Sequence, residues 1–259
     1  MDEKVGEAWL TGPKSVVEGG ELAGKTLEEV WPDFPLLVKI LFPEEKLSVQ
    51  VHPDDAEAQK LGLARGKTEC WYVLEAEPGA TVACGVLQGF STGDVAAAVA
   101  AGTLEELLEM VPVSVGDMVF VDAGTVHAIG PGVTLLEVQQ TCDVTYRLYD
   151  YGRPRELHLE AGLAVVKTET AAGKIPPKAM DGFTRLIESK YFVVDRYELA
   201  AGATATLKNV SAGCVVGLFG SGTVGGVAVL AGQAVVVPVG ASVVATEGGL
   251  TMVWCWEPE

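Results

Sequence analysis

Along Leu47-Ser48-Val49-Gln50-Val51-His52 apolar and polar residues alternate one for one. That period fits an extended strand, in which successive side chains point to opposite faces. Ser48, Gln50 and His52 then share one face, and Leu47, Val49 and Val51 the other. Such a strand usually turns its polar side to water. Here, though, the polar side carries one of only three histidines in 259 residues. A second run, Gly66-Lys67-Thr68-Glu69-Cys70-Trp71-Tyr72-Val73-Leu74, sets Lys67 and Glu69 on one face in the same way.

The rest of the chain reads mostly as strand. Pro35–Leu41 is β-rich and leads through Pro43-Glu44-Glu45-Lys46 into the alternating stretch, which predicts a hairpin. Pro53-Asp54-Asp55 opens a short helix to about Gly62, with proline and acids where a first turn favours them. Residues 91–110 turn helical, first in Asp94–Val99 and then in the capped phrase from Thr103 to Leu108. This is a small helical insertion between strands. Val115–Val121 and Gly124–Ile129 read as strands joined by a tight turn, followed by Val133–Gln140 and Val144–Tyr151. A flexible then stiff segment, Thr170-Ala171-Ala172-Gly173-Lys174-Ile175-Pro176-Pro177, is the expected linker. It divides the chain into domains at 1–170 and 171–259. From Ala200 to Glu259 the only charged residues are Lys208, Glu247, Glu257 and Glu259, and short valine runs are broken by glycine, as in a compact β-barrel or sandwich.

An internal repeat links the two halves. Gly116-Asp117-Met118-Val119-Phe120-Val121-Asp122-Ala123-Gly124 aligns without a gap on Gly232-Gln233-Ala234-Val235-Val236-Val237-Pro238-Val239-Gly240, and Val243 falls where His127 would recur. The second half is therefore expected to be a related β-domain that keeps the frame of the first without its histidine.

Composition narrows the function classes. A formal net charge of −17 repels nucleic acid and anionic membranes, so any phosphate bound here must meet a local cluster of Lys and Arg. Five cysteines, odd in number and without a CxxC pair, indicate neither a disulfide framework nor a thiolate zinc site. Reduced thiols, no charged-then-apolar leader and no apolar run long enough to span a bilayer point to the cytoplasm.

Gln50, His52, Glu69 and His127 make a set of nitrogen and oxygen donors, three on alternating positions of two strands and one after a Gly-Thr-Val turn. Two imidazoles with carboxylate and amide oxygens suit a divalent ion such as Zn²⁺, and the lack of thiolate leaves a coordination position open for catalysis. His158, with no second donor at ligand spacing, reads as structural.

Four phrases, LSVQVHPDD (47–55), GKTECWYVL (66–74), GTVHAIG (124–130) and EVQQTCDVTYRLYDYGR (137–153), resemble the type I phosphomannose isomerases, particularly their short bacterial form. The resemblance runs from about Glu7 to Glu160 and more weakly into the C-terminal part. It implies an all-β protein, a cupin (jelly-roll) domain followed by a smaller cupin-like β-domain. It also implies a zinc-dependent isomerase, with one zinc per chain, that interconverts mannose 6-phosphate and fructose 6-phosphate through a cis-enediolate. Carried over residue by residue, the zinc ligands are Gln50, His52, Glu69 and His127. Phosphate and sugar contacts fall on Lys39, Ser48 and Lys67, and the catalytic arginine on Arg147. A family lysine is replaced by Arg153, which stays cationic and is a poor proton acceptor. Glu137 and Asp143 are the candidate bases, and a base is identified by reach and then by pKa. Glu7-Ala8-Trp9 lies nearer the start than in family members, so a strand or substrate-side lid is expected to be missing there. Two other readings stay open: a non-catalytic sugar-phosphate-binding cupin, and an iron-dependent cupin dioxygenase, the latter weakened by a Gln where an HxH pair would have its first His.

Overall fold

The computed structural model describes residues 6–207, 211, 213–237 and 240–258. The chain separates into two compact units, one of Met1–Ala8 and Ile40–Ile175, the other of Trp9–Lys39 and Pro176–Glu259. This division lies a few residues beyond the expected linker start and assigns Trp9–Lys39 to the second unit.

In chain order the elements through the first unit are β1 (Glu7–Thr11), α1 (Leu27–Val30), β2 (Leu36–Leu41), β3 (Val49–Val51), α2 (Asp55–Lys60), β4 (Glu69–Ala76), β5 (Thr81–Val86), α3 (Thr92–Ala101), β6 (Leu108–Pro112), β7 (Met118–Val121), β8 (His127–Ile129), β9 (Val133–Gln140), β10 (Tyr146–Tyr149), α4 (Leu159–Val165) and β11 (Gly173–Ile175). One sheet has the order β1-β2-β9-β4-β7-β11, antiparallel from β9 to β11. The other has the order β10-β3-β8-β5-β6.

Between the sheets, Trp71, Val73, Val121 and Leu135 from the first meet Val82 and Ile129 from the second. The outer face of the second sheet is buried as well. Val49, Val51, Ala128 and Leu148 pack there against Val95 and Ala98 of α3 and Val165 of α4. Gly162 lets α4 lie on β10 and β3, because a Cβ at that position would come within 2.6 Å of Leu148 and 3.5 Å of Val51. The apolar face of β3 is thus the helix-covered one, and its polar face turns into the space between the sheets.

Three local expectations are corrected. β2 and β3 do not form a hairpin: β2 lies in the first sheet and β3 in the second, and likewise β7 and β8 belong to different sheets. Turn residues mark a change of direction but not which sheet receives the next strand, and in a sandwich both strands must still bury one face. The period of two also stops short of Leu47, which packs against the inner cluster while Val49 and Val51 join the outer one; regular strand begins only at Val49. Finally, the helical insertion ends sooner than residue 110. A 3-10 turn at Leu104–Leu107 gives way to β6, whose Leu108 and Met110 pair with Val86 and Ala83 of β5. Pairing with an open sheet edge outweighs the helical propensity of the leucine-rich phrase.

The second unit's C-terminal part comprises β12 (Lys178–Ala179), β13 (Thr184–Glu188), β14 (Val193–Leu199), β15 (Thr204–Thr206), β16 (Gly213–Val224), β17 (Val227–Leu230), β18 (Ala234–Val237) and β19 (Ser242–Trp256). They form one sheet in the order β12-β13-β14-β19-β16-β17, with β15 on β19 and β18 on β16. Val193, Val215, Val243, Met252 and Trp254 belong to its core. The repeat appears in this geometry: β7 and β18 occupy positions 118–121 and 234–237, the same offset of 116 residues. Gly116, Gly124, Gly232 and Gly240 all have positive φ. Pro238 and Val239 of the repeat, like Lys208 and Glu259, lie outside the described residues. Among the described residues no helix is long and apolar enough to cross a membrane.

One glycine sets the entry to β4. A Cβ on Gly66 would lie 2.4 Å from the carbonyl carbon of Asp54 and 2.6 Å from the nitrogen of Asp55, backbone atoms of the α2 cap that cannot swing aside. Gly66 N also donates to Asp55 Oδ1 at 2.8 Å, and Lys67 N to the Pro53 carbonyl at 2.9 Å. Gly66→Ala should therefore push β4 off the helix and destabilise the protein by about 1–3 kcal/mol, measured as a lower urea midpoint with an unchanged m-value. An unchanged midpoint would show that the close approach is not required.

Candidate metal centre

His52, Glu69 and His127 are each at most 1% exposed and stand in the space between the two sheets. One donor atom from each lies within 4.8 Å of the others. His52 follows β3, Glu69 opens β4 and His127 opens β8. The turn before β8 is tied to His52 directly, since Gly124 N donates to the His52 carbonyl at 2.9 Å.

Both imidazoles are oriented by the backbone. Nδ1 of His52 lies 2.9 Å from the Val144 carbonyl, and Nδ1 of His127 lies 2.9 Å from the Thr125 carbonyl. A carbonyl only accepts, so each Nδ1 carries the hydrogen, and in the neutral imidazole Nε2 presents a lone pair. Those lone pairs face the Glu69 carboxylate, His52 Nε2 at 3.5 Å from Oε2 and His127 Nε2 at 3.4 Å from Oε1. Burial pushes the His127 pKa down to about 4, a shift only partly offset by the hydrogen bond to Thr125. The contact with Glu69 is therefore not an ion pair at neutral pH. Two sets of lone pairs meet in a buried space, and Nε2 of His127 has no hydrogen-bond partner among the described residues.

A cation between them resolves the conflict. Atoms bound about 2.0–2.2 Å from one tetrahedral zinc are about 3.4 Å from one another, which matches both observed separations. The donor set thus fits a divalent metal, and the imidazole–carbonyl bonds are the outer support that metal-binding histidines require. Gln50 is the cross-strand partner of His127 on β3 and is half-buried. Paired positions share a sheet face, which puts Gln50 on the same wall.

The other sequence-predicted residues divide by position. Lys67 is buried, with its Nζ 3.4 Å from Glu69 Oε2. Burial alone would lower its pKa, but the carboxylates of Glu69, Glu137 and Asp143 outweigh that and raise it. Glu137 is buried on β9, paired with Trp71 of β4, whereas Asp143 is exposed in the following loop. Arg147 pairs with Gln50 across β10 and β3. His158 brackets it: His158 N donates to the Arg147 carbonyl at 2.8 Å, His158 Nδ1 accepts from Arg147 N at 3.2 Å, and Arg147 Nη1 donates to the Glu156 carbonyl at 2.8 Å.

Arg153 donates to Asp150 Oδ1 at 2.7 Å and to the Lys46 carbonyl at 2.9 Å, two residues from the buried Ser48. Burial works against the Asp150 carboxylate, yet hydrogen bonds from Arg155 and Arg153 hold it below the usual range. Lys39 belongs to the second unit, where it is buried with its Nζ 4.4 Å from the Trp9 ring. Sequence reasoning passed over the Thr125 and Val144 carbonyls, which carry no side-chain signal. It also missed Trp71, whose ring stands edge-on to His127 at 5.6 Å, and Gln139. Alternation from Glu137 would have flagged Gln139.

A family model for the catalytic domain of type I phosphomannose isomerases matches residues 6–92. A mannose-6-phosphate isomerase of Streptococcus mutans is 37% identical over 223 residues, 76% of this chain and 70% of that protein. The mannose-6-phosphate isomerase ManA of Bacillus subtilis is 36% identical over 230 residues, 78% of this chain and 72% of its own length. The crystal structure of the mannose 6-phosphate isomerase from Bacillus subtilis superposes with a TM-score of 0.79 at 29% identity, covering 97% of this chain and 89% of that one.

Two measurements test the centre. His127→Ala should purify nearly free of metal by elemental analysis while the unmodified protein carries about one equivalent; a full equivalent in the variant would remove His127 from the ligand set. The second uses protein stripped by chelator. His127 has a folded-state pKa of about 4, below the ordinary value of about 6.5. Its stability contribution is therefore complete above pH 6.5 and falls as pH drops toward 4. Between pH 7 and 5.5 the loss should be about 1 kcal/mol in urea unfolding, and His127→Asn should flatten that slope.

Proposed function

The chain belongs to the type I phosphomannose isomerase family, and on that premise we propose that it interconverts mannose 6-phosphate and fructose 6-phosphate with one zinc held by Gln50, His52, Glu69 and His127. The observation that carries this reading is the convergence of two neutral-side imidazole lone pairs on the Glu69 carboxylate beside a buried ammonium. Bound there, the ion supplies positive charge for the oxygen that becomes anionic during isomerisation. Five buried cysteines, with no disulfide among the described residues, support a reducing compartment, and we place the protein in the cytoplasm.

Aldose–ketose isomerisation needs a base that takes the proton from C2 and returns it to C1, a place for the charge that develops on the C1 oxygen, and transfer of the C2 hydroxyl proton to that C1 oxygen as C2 becomes the carbonyl. We assign the base to Glu137. It is buried on the wall that carries Glu69, while Asp143 lies exposed in the loop beyond. Lys67 and Arg147 stand to stabilise the enediolate oxygens, since a fixed cation in a dry site is worth more than in water. The 3.4 Å separation of Lys67 Nζ from the carboxylate of the metal cluster supports a role at the reacting end of the sugar rather than at its phosphate, where the family resemblance had put it. The phosphate is then met by Ser48 and Arg153, at the start of β3. Residues two apart on a strand are separated by about 6.6 Å, so the stretch from Gln50 back to Ser48 suits the span from C1 to the phosphate-bearing C6.

A coupled isomerase assay on mannose 6-phosphate and on free mannose tests both assignments. Lys67→Ala should lower kcat/KM on both sugars by a similar factor, on the order of 10- to 150-fold for one charge-assisted contact, with metal content unchanged. Arg153→Ala should lower it on mannose 6-phosphate alone. A Lys67→Ala loss confined to the phosphorylated sugar would move Lys67 to the phosphate, and an unmodified protein with no isomerase activity would refute the function.

A further inference from the structure

Gln139 lies on β9 as the cross-strand partner of Glu69. Paired residues share a face, so its side chain enters the same inter-sheet space as the metal cluster, two residues along from Glu137. It is fully buried. Both hydrogens of its amide are spent on backbone: Nε2 donates to the Gln140 carbonyl at 3.1 Å and to the Cys142 carbonyl at 2.5 Å. That arrangement fixes which end of the amide is which, because an oxygen in the same place would face two carbonyl oxygens. The amide oxygen is thereby directed the other way, and Oε1 is buried with no hydrogen-bond partner among the described residues.

A buried acceptor left without a donor costs free energy in the ligand-free protein. The adjoining Gln140 has no such deficit, since its oxygen accepts from Thr68 N at 3.0 Å and its nitrogen donates to Asp55 at 2.9 Å. Of two consecutive glutamines, one braces the entry to β4 on both sides and the other is held with its oxygen unsatisfied. A neutral amide oxygen suits an uncharged O–H donor, and a sugar brings several.

We propose that Gln139 is a substrate-positioning residue whose amide oxygen accepts a hydrogen bond from the sugar hydroxyl on C3 or C4, next to the reacting carbons, setting which way the chain of the sugar lies against Glu137. The inference rests on the sugar-phosphate isomerase reading above. A site built to accept from one hydroxyl discriminates against the analogue that lacks it, because its own acceptor is then left unpaired.

The test compares unmodified holoenzyme with Gln139→Leu, and with Gln139→Met as a second apolar variant of similar volume. Dissociation constants are measured for mannose 6-phosphate and for its 3-deoxy and 4-deoxy analogues, alongside metal content. Both variants should bind mannose 6-phosphate on the order of tenfold more weakly and bind one of the two deoxy analogues as well as the unmodified protein does, with metal content unchanged. An equal loss on all three ligands would mean that Gln139 only shapes the loop through its bonds to Gln140 and Cys142, and would overturn the proposal. So would unchanged affinity throughout, or a parallel loss of metal, which would make Gln139 part of the ligand set. If the unmodified protein binds none of the three ligands, the isomerase reading falls and this one with it; a flat response of the variants on a binding-competent background removes this inference alone.

Discussion

Two imidazoles hold their Nδ1 hydrogens on the carbonyls of Thr125 and Val144 and aim their Nε2 lone pairs at one carboxylate. Much of the first unit can be understood from that arrangement. It is an electrostatic deficit in a dry place, where like-signed partial charges repel more strongly than in water, and it is relieved only by positive charge. The deficit is sustained by backbone that has little freedom. Gly124 N is bonded to the His52 carbonyl, Lys167 N to the Gly124 carbonyl, and the Thr68 side chain to Ala123 N. The turn before His127 is therefore clasped from three directions.

The cations near the site of this acidic protein are held on carboxylates. The molecule carries −17 overall, yet Lys67 is kept charged inside by the carboxylates around it, and Arg153 and Arg155 are gathered on Asp150. Each cation is positioned by an acid that also lowers its cost of burial.

The second unit shows what the same frame does without the site. β7 and β18 sit at matching positions between glycines of positive φ, but where His127 enters the first core, Val243 is buried in the other among Val215, Met252 and Trp254. Filling that interior with apolar side chains removes the desolvation problem that the first unit must manage.

How much of this was readable without coordinates depends on the kind of information involved. Period-two alternation by itself determined that Gln50 and His52 share a face and that Lys67 and Glu69 share another, because strand geometry admits no other spacing; the 116-residue repeat put Val243 where His127 would recur. Donor types determined that the set suits a divalent metal. What alternation does not contain is the direction of either face. Only the tertiary structure, by laying α3 and α4 over Val49 and Val51, decided that the polar side turns inward and not to water. Only the crossing between sheets brought β3, β4 and β8 together, where turn residues had suggested hairpins. The orientation of the Gln139 amide is likewise absent from the alternation: it is set by the carbonyls of Gln140, the last residue of β9, and of Cys142 in the turn that follows, and that local backbone path shows only in the coordinates.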